Sequence, residues 1–290
     1  MKFGVVFPQT EVKPDPAIIK DYAQTVEGLG YDYLLVYDHV LGANPARPGW
    51  ESRYYNYKDS FNEPFVLFGY LAGLTRRLEL VTGILILPQR QTVLAAKQAA
   101  QVDVLSGGRL RLGVGLGWNY VEYEALGENF HDRGKRCEEQ IVLLNELWTN
   151  PLVTFRGKYH AVSDAGLNPL PVQRPIPLWF GGTADDALER MARLGQGWFP
   201  LGSVNDRLKG MVERLHRYLE AAGRKPETFG LDGHVSIGAL PRAEWAGEVE
   251  KWGQVGATHV CVTTMRAGFV SPQEHLEAIR QFQAEMGLHP

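Results

Sequence analysis

Cysteine and long apolar runs are both scarce in this sequence. Its only cysteines, Cys137 and Cys261, are far apart in the chain, which argues against a disulfide framework and indicates a reducing compartment. The N-terminal segment MKFGVVFPQT becomes polar too early for a signal peptide. No apolar run reaches the roughly 18 residues that a membrane helix needs. We therefore expect a cytoplasmic location and no membrane partner.

An excess of charge of one sign is also lacking. The chain carries 30 Lys and Arg against 33 Asp and Glu, interspersed along its length, and its net charge is −3. Proteins that bind nucleic acid usually show a basic patch or stripe, so we expect no nucleic-acid partner. We expect a small-molecule substrate instead.

Several common catalytic motifs are missing as well. No GxGxxG follows the first apolar run, and the chain contains no P-loop, no GxSxG and no HExxH. These absences remove the sequence signatures of dinucleotide-binding folds, P-loop NTPases, elbow-type serine hydrolases and zinc peptidases. The histidines show no metal-ligand spacing, so no metal site is expected.

Apolar β-type runs alternate with helical patterns along the whole chain. Eight such pairs are typical of a TIM barrel, in which each strand is followed by a helix. We therefore predict one α/β domain over residues 1–290, a (β/α)8 barrel with insertions after strands 2 and 4. A doubly wound parallel sheet is the main alternative. The predicted strands are Lys2–Phe7, Tyr33–Tyr37, a stretch within Leu78–Leu87, Leu110–Val114, Pro177–Phe180, Gly197–Pro200, His234–Ala239 and Thr258–Val262. The predicted helices are Pro16–Leu29, Glu63–Thr75, Thr92–Leu105, Arg133–Trp148, Ala184–Leu194, Val204–Ala222, Arg242–Trp252 and Pro272–Met286, with a small hairpin inside Pro151–Pro177.

The pair Asp38-His39, directly after the second strand, is the best catalytic candidate. A TIM barrel carries its site on the loops that follow its strands. A histidine can donate or accept a proton near neutral pH, and a neighbouring carboxylate can hold it. Adjacent residues of an extended chain point to opposite faces, so the two side chains need not touch. A purely structural histidine is the alternative.

The stretch Arg109–Asn119, RLRLGVGLGWN, begins as a strand and ends as a glycine-rich loop. Gly113, Gly115 and Gly117 lack side chains where the strand ends, which would let a flat ligand approach the backbone while Trp118 forms a wall. The alternative is that the glycines only permit tight packing or a bulge. Glu122 and Glu124, two apart on a helix, diverge and are not expected to act as a carboxylate pair.

The triplet Gly181-Gly182-Thr183 precedes the fifth predicted helix and is a candidate anion site. We predict Thr183 as the N-cap, and the free amides of a helix start attract phosphate. A simple strand-to-helix turn is the alternative, because Asp185 and Asp186 would repel a phosphate that they faced.

Aromatic residues are densest in Trp50–Phe61, WESRYYNYKDSF, within the long segment after the second strand. Such a segment is compatible with a structured lid over an apolar substrate. A packed surface loop is the alternative.

These motifs together resemble the bacterial luciferase-like superfamily of flavin- and deazaflavin-dependent TIM-barrel oxidoreductases. The resemblance runs from FGVVFP in the first strand to GQGWFPLG at Gly195–Gly202, and the last third of the chain is generic. The matching segments between them are YLLVYDH, the EP of Glu63-Pro64, LVTGILILPQR, AAKQAAQVDVLSGGRLRLGVGLGW, EYEALG, RGKRCEEQIVLLNELW and PLWFGGT. The DH after the second strand, the TGI of the third and the GW after the fourth are most similar to the branch that uses coenzyme F420.

The resemblance implies a cofactor site at the mouth of the barrel. A non-proline cis peptide would join Gly83 and Ile84, where the ring system leans. The ring would be flanked by Asp38 and His39, with Gly115, Gly117, Trp118 and Asn119 along the ring or its ribityl chain, and with the phosphate at Gly181, Gly182 and Thr183. The implied reaction transfers a hydride between F420 and a small organic substrate, with His39 as proton donor or acceptor and Asp38 orienting the ring or the loop. An FMN-dependent monooxygenase that uses reduced FMN and O2 and a non-catalytic flavin-binding protein are the alternatives, and the superfamily's habit of dimerising implies a homodimer.

Overall fold

The computed structural model describes residues 1–50 and 54–289. Within them, parallel strands close into a barrel surrounded by helices, which confirms the predicted (β/α)8 class. Each strand pairs with its sequence neighbours, and β11 closes the ring against β1. The barrel strands are β1 (Lys2–Val6), β2 (Tyr33–Val36), β3 (Glu79–Thr82) continued by β4 (Leu85–Ile86), β5 (Leu110–Gly115), β8 (Leu178–Gly181), β9 (Gly197–Phe199), β10 (Gly230–Ser236) and β11 (His259–Thr263). An antiparallel hairpin outside the barrel is formed by β6 (Val153–Arg156) and β7 (Ala161–Ala165).

The helices begin and end where local chemistry favours it. The first helix starts after Asp15, whose side chain accepts the N–H of Ala17, and has a proline at its first position. The last helix starts in a capping box formed by Ser271 and Glu274. The helices are α1 (Pro16–Gly28), α2 (Pro64–Leu74), α3 (Thr92–Ser106), α4 (Tyr120–Ala125), α5 (Arg133–Thr149), α6 (Asp185–Leu194), α7 (Asp206–Ala221), α8 (Trp245–Gln254) and α9 (Pro272–Met286).

The bottom of the barrel, at the N-terminal ends of the strands, is filled by a buried charged cluster. The Arg111 guanidinium lies 4.5 Å from the ring centre of Tyr33 and 4.3 Å from that of Trp179. It also pairs with Glu79 at 3.0 Å and with Asp232 at 3.3 Å. Burial raises the pKa of Asp232 to about 6, although Arg111 and the Tyr33 hydroxyl oppose that change. These contacts join strands from different sides of the barrel.

The seventh barrel strand differs most from its prediction. The predicted His234–Ala239 is too far along the chain, because β10 covers Gly230–Ser236. Glycine and aspartate are poor strand formers, which hid the start of this strand. In the fold, Gly230 leaves room for the Trp179 ring, because a methyl group built on Gly230 would lie 2.2 Å from that ring.

The hairpin also starts later than predicted in its second strand. Lys158 and Tyr159, expected to be strand residues, form a turn around the Glu139 carboxylate, which accepts their backbone N–H groups and that of His160. The Glu139 carboxylate thus accepts backbone N–H groups that a neighbouring strand would otherwise accept.

Two further observations bear on the sequence predictions. Cys137 and Cys261 are both free and buried. In the part of the chain that the structure describes, no helix is long and apolar enough to cross a membrane.

Candidate functional site

The third barrel strand is interrupted at the mouth of the barrel. Between β3 and β4, the peptide bond joining Gly83 and Ile84 is cis, as the resemblance implied. The residues on either side of this bond are half-buried, whereas their neighbours from Leu80 to Thr82 and from Leu85 to Gln89 are buried. The interruption therefore presents Gly83 and Ile84 at the open end of an otherwise buried strand.

Glycines on neighbouring strands leave room for the Ile84 side chain. A methyl group built on Gly115 would lie 2.6 Å from Ile84 Cδ1, and one built on Gly181 would lie 3.0 Å from Ile84 Cγ2. Gly117 has φ +67°, and a methyl group built on it would lie 2.8 Å from Ile86 Cγ2. The space that these glycines provide is thus occupied by isoleucine side chains, which gives the glycines a packing role. Their contact with a cofactor stays a prediction.

Asp38 holds the mouth of the barrel together. Its Oδ2 accepts the N–H of Ile86 at 2.9 Å and its Oδ1 accepts Arg90 Nη2 at 2.8 Å, with only 1% of the side chain exposed. Arg90 Nη1 also reaches Glu63, the N-cap of α2, at 2.8 Å. Burial lowers the pKa of Arg90, but the carboxylates of Asp38 and Glu63 outweigh it and raise that pKa. The geometry therefore gives Asp38 a loop-orienting role, since both of its oxygens are engaged within the protein.

His39 turns away from Asp38 and meets Glu122. Its Nδ1 lies 3.1 Å from Oε1 of Glu122, a residue whose side chain is 0% exposed while that of His39 is 10% exposed. The same carboxylate accepts the N–H of Val40 at 2.8 Å and of Leu41 at 3.3 Å, and the Gln89 side-chain amide at 3.2 Å. The pair at the second strand end thus faces two directions, as adjacent extended residues should.

Sequence reasoning missed Glu122, although a signal for it exists. Asn119 caps α4 by accepting the N–H of Val121, and Glu122 is the third residue of that helix. This spacing is that of a capping box, which predicts a helix start and places a carboxylate in its first turn. Glu124 does diverge, as expected, and pairs with Arg47 at 2.9 Å on the surface.

Aromatic rings surround His39. Its ring centre lies 4.8 Å from that of Phe61, 5.3 Å from Tyr55 and 5.7 Å from Trp118. Trp118 also stacks on Trp50 at 5.8 Å and is 36% exposed. A cavity of about 50 Å³ is lined by His39, Val40, Leu41, Gly42, Tyr55, Asn56, Asp59, Phe61, Trp118 and Asn119.

Asn119 and the aromatic segment modify two predictions. The Asn119 side chain borders the cavity but is used within the protein, since its Nδ2 also donates to Leu41 O at 3.3 Å.

In the segment Trp50–Phe61, residues 51–53 lie outside the described residues. Trp50, Tyr55 and Phe61 pack around His39 and Trp118, so the described part of the segment covers one side of the cavity.

The predicted phosphate turn has the expected place but a different cap. Ala184 is the N-cap of α6, so the prediction of Thr183 as N-cap is wrong. The carbonyl of Ala184 already accepts the first helical N–H groups. Gly182 has φ +120°, which favours glycine. The Asp185 carboxylate faces α7, where it accepts Arg214 Nε at 3.0 Å and the Tyr218 hydroxyl at 2.9 Å. Its charge is therefore balanced by an arginine.

The structure brings the candidate residues into two connected groups. His39, Trp118 and Asn119 border the cavity. Ile84 contacts the positions of Gly115 and Gly181, so it lies between the end of β5 and the turn predicted to bind phosphate. A half-buried apolar side chain at the barrel mouth suits one face of a flat ring, and an N-terminal helix turn suits an anionic tail. The residues present therefore fit a flavin-type cofactor.

Comparisons with known proteins show the family of this chain. The luciferase-like monooxygenase family matches residues 1–284. An uncharacterised protein of Mycobacterium tuberculosis is 34% identical over 224 residues, covering 75% of this chain and 77% of that protein. The FMNH2-dependent dimethylsulfone monooxygenase of Pseudomonas fluorescens is 30% identical over 240 residues, covering 80% of this chain and 61% of that enzyme.

A solved structure shows the same fold. The F420-dependent tetrahydromethanopterin reductase of Methanopyrus kandleri superposes with a TM-score of 0.76 at 16% identity, over 99% of each chain. At this identity the likeness concerns the fold alone. The family match, by contrast, covers nearly the whole sequence. The chain therefore belongs to the luciferase-like monooxygenase family of oxidoreductases.

Proposed function

We propose that this protein transfers a hydride between coenzyme F420 and a small organic substrate. The observation that carries the proposal is the His39 ring, held by the buried Glu122 carboxylate on the wall of a cavity at the barrel mouth. When bound, F420 supplies or accepts the hydride at C5 of its deazaflavin ring. His39 donates or accepts the compensating proton, and Asp38 fixes the loop from which His39 projects.

Two features support a cofactor site for a flat ring with an anionic tail. They are the Ile84 side chain and the start of α6 at Asp185. Gly83 and Ile84 would carry one face of the ring, and Gly181, Gly182 and Thr183 would hold the phosphate at the start of α6. Gly115, Gly117, Trp118 and Asn119 would lie along the ring or its ribityl chain. The Asp185–Arg214 pair supports this assignment, because it balances a charge that would otherwise oppose an anion.

An FMN-dependent monooxygenase using reduced FMN and O2 is the second candidate. It is favoured by the 30% identity to the FMNH2-dependent enzyme of Pseudomonas fluorescens. The same ring support and phosphate turn would serve FMN. A non-catalytic flavin-binding protein is the third candidate, and the buried carboxylate behind His39 argues against it, because binding alone does not need a held imidazole.

Binding separates the cofactors. We expect the purified apo-protein, titrated with F420 and with FMN while fluorescence is followed, to bind F420 with micromolar or tighter affinity. Micromolar binding of FMN but not of F420 would replace the first candidate by the second. Binding of neither would overturn the cofactor proposal.

Substitution of His39 tests the chemistry. We expect His39→Ala to leave F420 affinity within a few-fold, while turnover of small alcohols, aldehydes or enones, followed by F420 absorbance, falls by roughly 10²–10⁴-fold. His216→Ala, in an exposed position on α7, is the matched control. Unchanged turnover in His39→Ala would remove His39 from the mechanism.

We also propose a homodimer through the outer faces of α2 and α3. These neighbouring helices expose the apolar side chains Val66 (72%), Leu94 (53%) and Leu105 (55%), and large exposed apolar side chains are often covered at subunit interfaces. Light scattering coupled to size exclusion is expected to give twice the chain mass, and Val66→Lys with Leu94→Lys to give a monomer. A monomeric native protein would contradict the proposal. The cytoplasmic location stays a prediction of the sequence.

A further inference from the structure

We infer that Glu122 is a positioning residue that fixes the tautomer of His39, so that Nδ1 always carries a hydrogen and Nε2 is the nitrogen that exchanges protons. This inference rests on the proposed function only in the use made of Nε2. The assignment of the hydrogen follows from the contacts of Glu122 alone.

The first step is the charge of Glu122. Its Oε1 accepts two backbone N–H groups, from Val40 at 2.8 Å and from Leu41 at 3.3 Å. A backbone N–H can only donate, and the Gln89 Nε2 that reaches Oε2 at 3.2 Å is also a donor. A protonated carboxyl would need an acceptor for its own hydrogen, and among these contacts only a bare His39 Nδ1 could be that acceptor. A carboxylic acid is a stronger acid than an imidazolium, so the hydrogen between these two groups lies on Nδ1. The carboxylate form is therefore the one that the surroundings satisfy.

The second step is the histidine nitrogen that faces this carboxylate. His39 Nδ1 lies 3.1 Å from Oε1 and 3.3 Å from Oε2 of Glu122. A bare Nδ1 lone pair there would repel the two oxygens, whereas Nδ1–H donates to them. The hydrogen consequently sits on Nδ1 in the neutral ring, and Nε2, on the opposite edge, carries the lone pair. In the charged ring Nε2–H becomes the donor.

The third step concerns the groups around the ring. Tyr55 and Phe61 pack against it from the segment after β2, and Trp118 packs against it from the loop after β5. Asp59 borders the same cavity, and the Asp38–Arg90 pair lies behind the loop. Among these described neighbours, only Glu122 is an ionised group in direct contact with the imidazole. A carboxylate at Nδ1 both orients the ring and stabilises the imidazolium, as in the hydrolase triads.

The consequence for the reaction is a defined proton route. A proton released during substrate oxidation is accepted by Nε2, and in reduction Nε2–H returns it. The proton on Nδ1 stays with Glu122 throughout. Methionine at position 122 would keep a side chain of similar length but remove both carboxylate oxygens. Without that acceptor the neutral ring is no longer held with its hydrogen on Nδ1 and shifts towards the Nε2–H form, which cannot accept a proton on the reacting side.

The test reads the tautomer directly. Protein labelled with ¹⁵N-histidine is examined at pH 8.5 by long-range ¹H–¹⁵N spectra, with the His39 signal assigned by its loss in His39→Gln. We expect the Nδ1–H form in the native protein and in Glu124→Gln, a control from the exposed face of the same helix, and a shift towards the Nε2–H form in Glu122→Met. Titration with F420 is expected to give affinities within a few-fold for all three proteins.

The outcomes separate this inference from the proposed function. An Nε2–H ring in the native protein, or an Nδ1–H ring unchanged in Glu122→Met, overturns the inference whatever the cofactor proves to be. If Glu122→Met does not fold, the native spectrum alone decides. Failure to bind F420, with the tautomers as expected, would overturn the proposed function and leave the role of Glu122 standing.

Discussion

The two ends of the barrel both bury charged side chains, but they use them differently. At the bottom, Arg111 is enclosed by the Tyr33 and Trp179 rings and by two carboxylates, and its side chain is 3% exposed. At the mouth, Glu122 is equally buried, yet the histidine that it holds borders a cavity. A buried ion pair alone therefore indicates structure. A buried anion behind a titratable ring at a cavity wall indicates chemistry.

The largest expected effect breaks the bottom cluster. Asp232→Ala leaves the Arg111 charge buried with one of its two carboxylates, and removing one member of a buried pair typically costs about 3–5 kcal/mol. We expect a loss of that order in the free energy of unfolding measured with urea. Glu285→Ala, which removes the exposed partner of Arg242, should cost less than about 1 kcal/mol. Equal losses in the two variants would mean that the bottom cluster is not a stabilising element.

A smaller effect concerns pH and a histidine between the two ends. His234 on β10 lies two residues beyond Asp232 and so points into the barrel, and burial lowers its pKa from 6.5 to about 4. The folded protein then binds fewer protons than the unfolded chain between these values. Stability is fully present above pH 6.5 and is lost as the pH falls towards 4, by up to ~3 kcal/mol for this group.

Comparison with a variant isolates that contribution. The free energy of unfolding, measured by urea between pH 7.5 and 5, should fall less steeply in His234→Asn than in the native protein. Parallel curves would show that His234 is not held neutral in the fold.

The smallest expected effect concerns Asp185, at the start of α6 near the mouth of the barrel. Asp185→Asn removes the carboxylate that pairs with the exposed Arg214, so stability should change by less than about 1 kcal/mol. If the cofactor phosphate binds at the start of α6, its affinity should rise a few-fold at low salt and lose that gain at high salt. Asp206→Asn, at the start of α7, is the matched control. A lower affinity in Asp185→Asn would place the phosphate elsewhere.

Much of the fold could be predicted because hydrophobic periodicity follows local geometry. Leu110–Val114 and Tyr33–Tyr37 alternate or run apolar over the length of a strand, and the structure has β5 and β2 there. The start of β10 could not be predicted in this way, because Gly230 and Gly233 are chosen for the tryptophan rings that pack on them from distant strands and helices. These contacts are tertiary, so they leave no periodic pattern of apolar residues in the local sequence.

The site was predictable in its residue types and less so in their partners. Strand ends identified Asp38, His39 and the glycines, since barrel topology brings those ends together. Which carboxylate meets His39 depends on how the loop after β5 folds over the loop after β2, 83 residues away in the chain. Asp38, adjacent in sequence, was the obvious partner and is instead committed to Ile86 and Arg90.

The Ile84 side chain has a consequence for how this family can vary. It occupies the space above two glycines on different strands, Gly115 and Gly181. A larger residue at either glycine is tolerated only if position 84 becomes smaller, and a bulkier residue at position 84 has nowhere to go. These positions are therefore expected to change together among related sequences, so that the shape of the barrel mouth is inherited as a unit and not residue by residue.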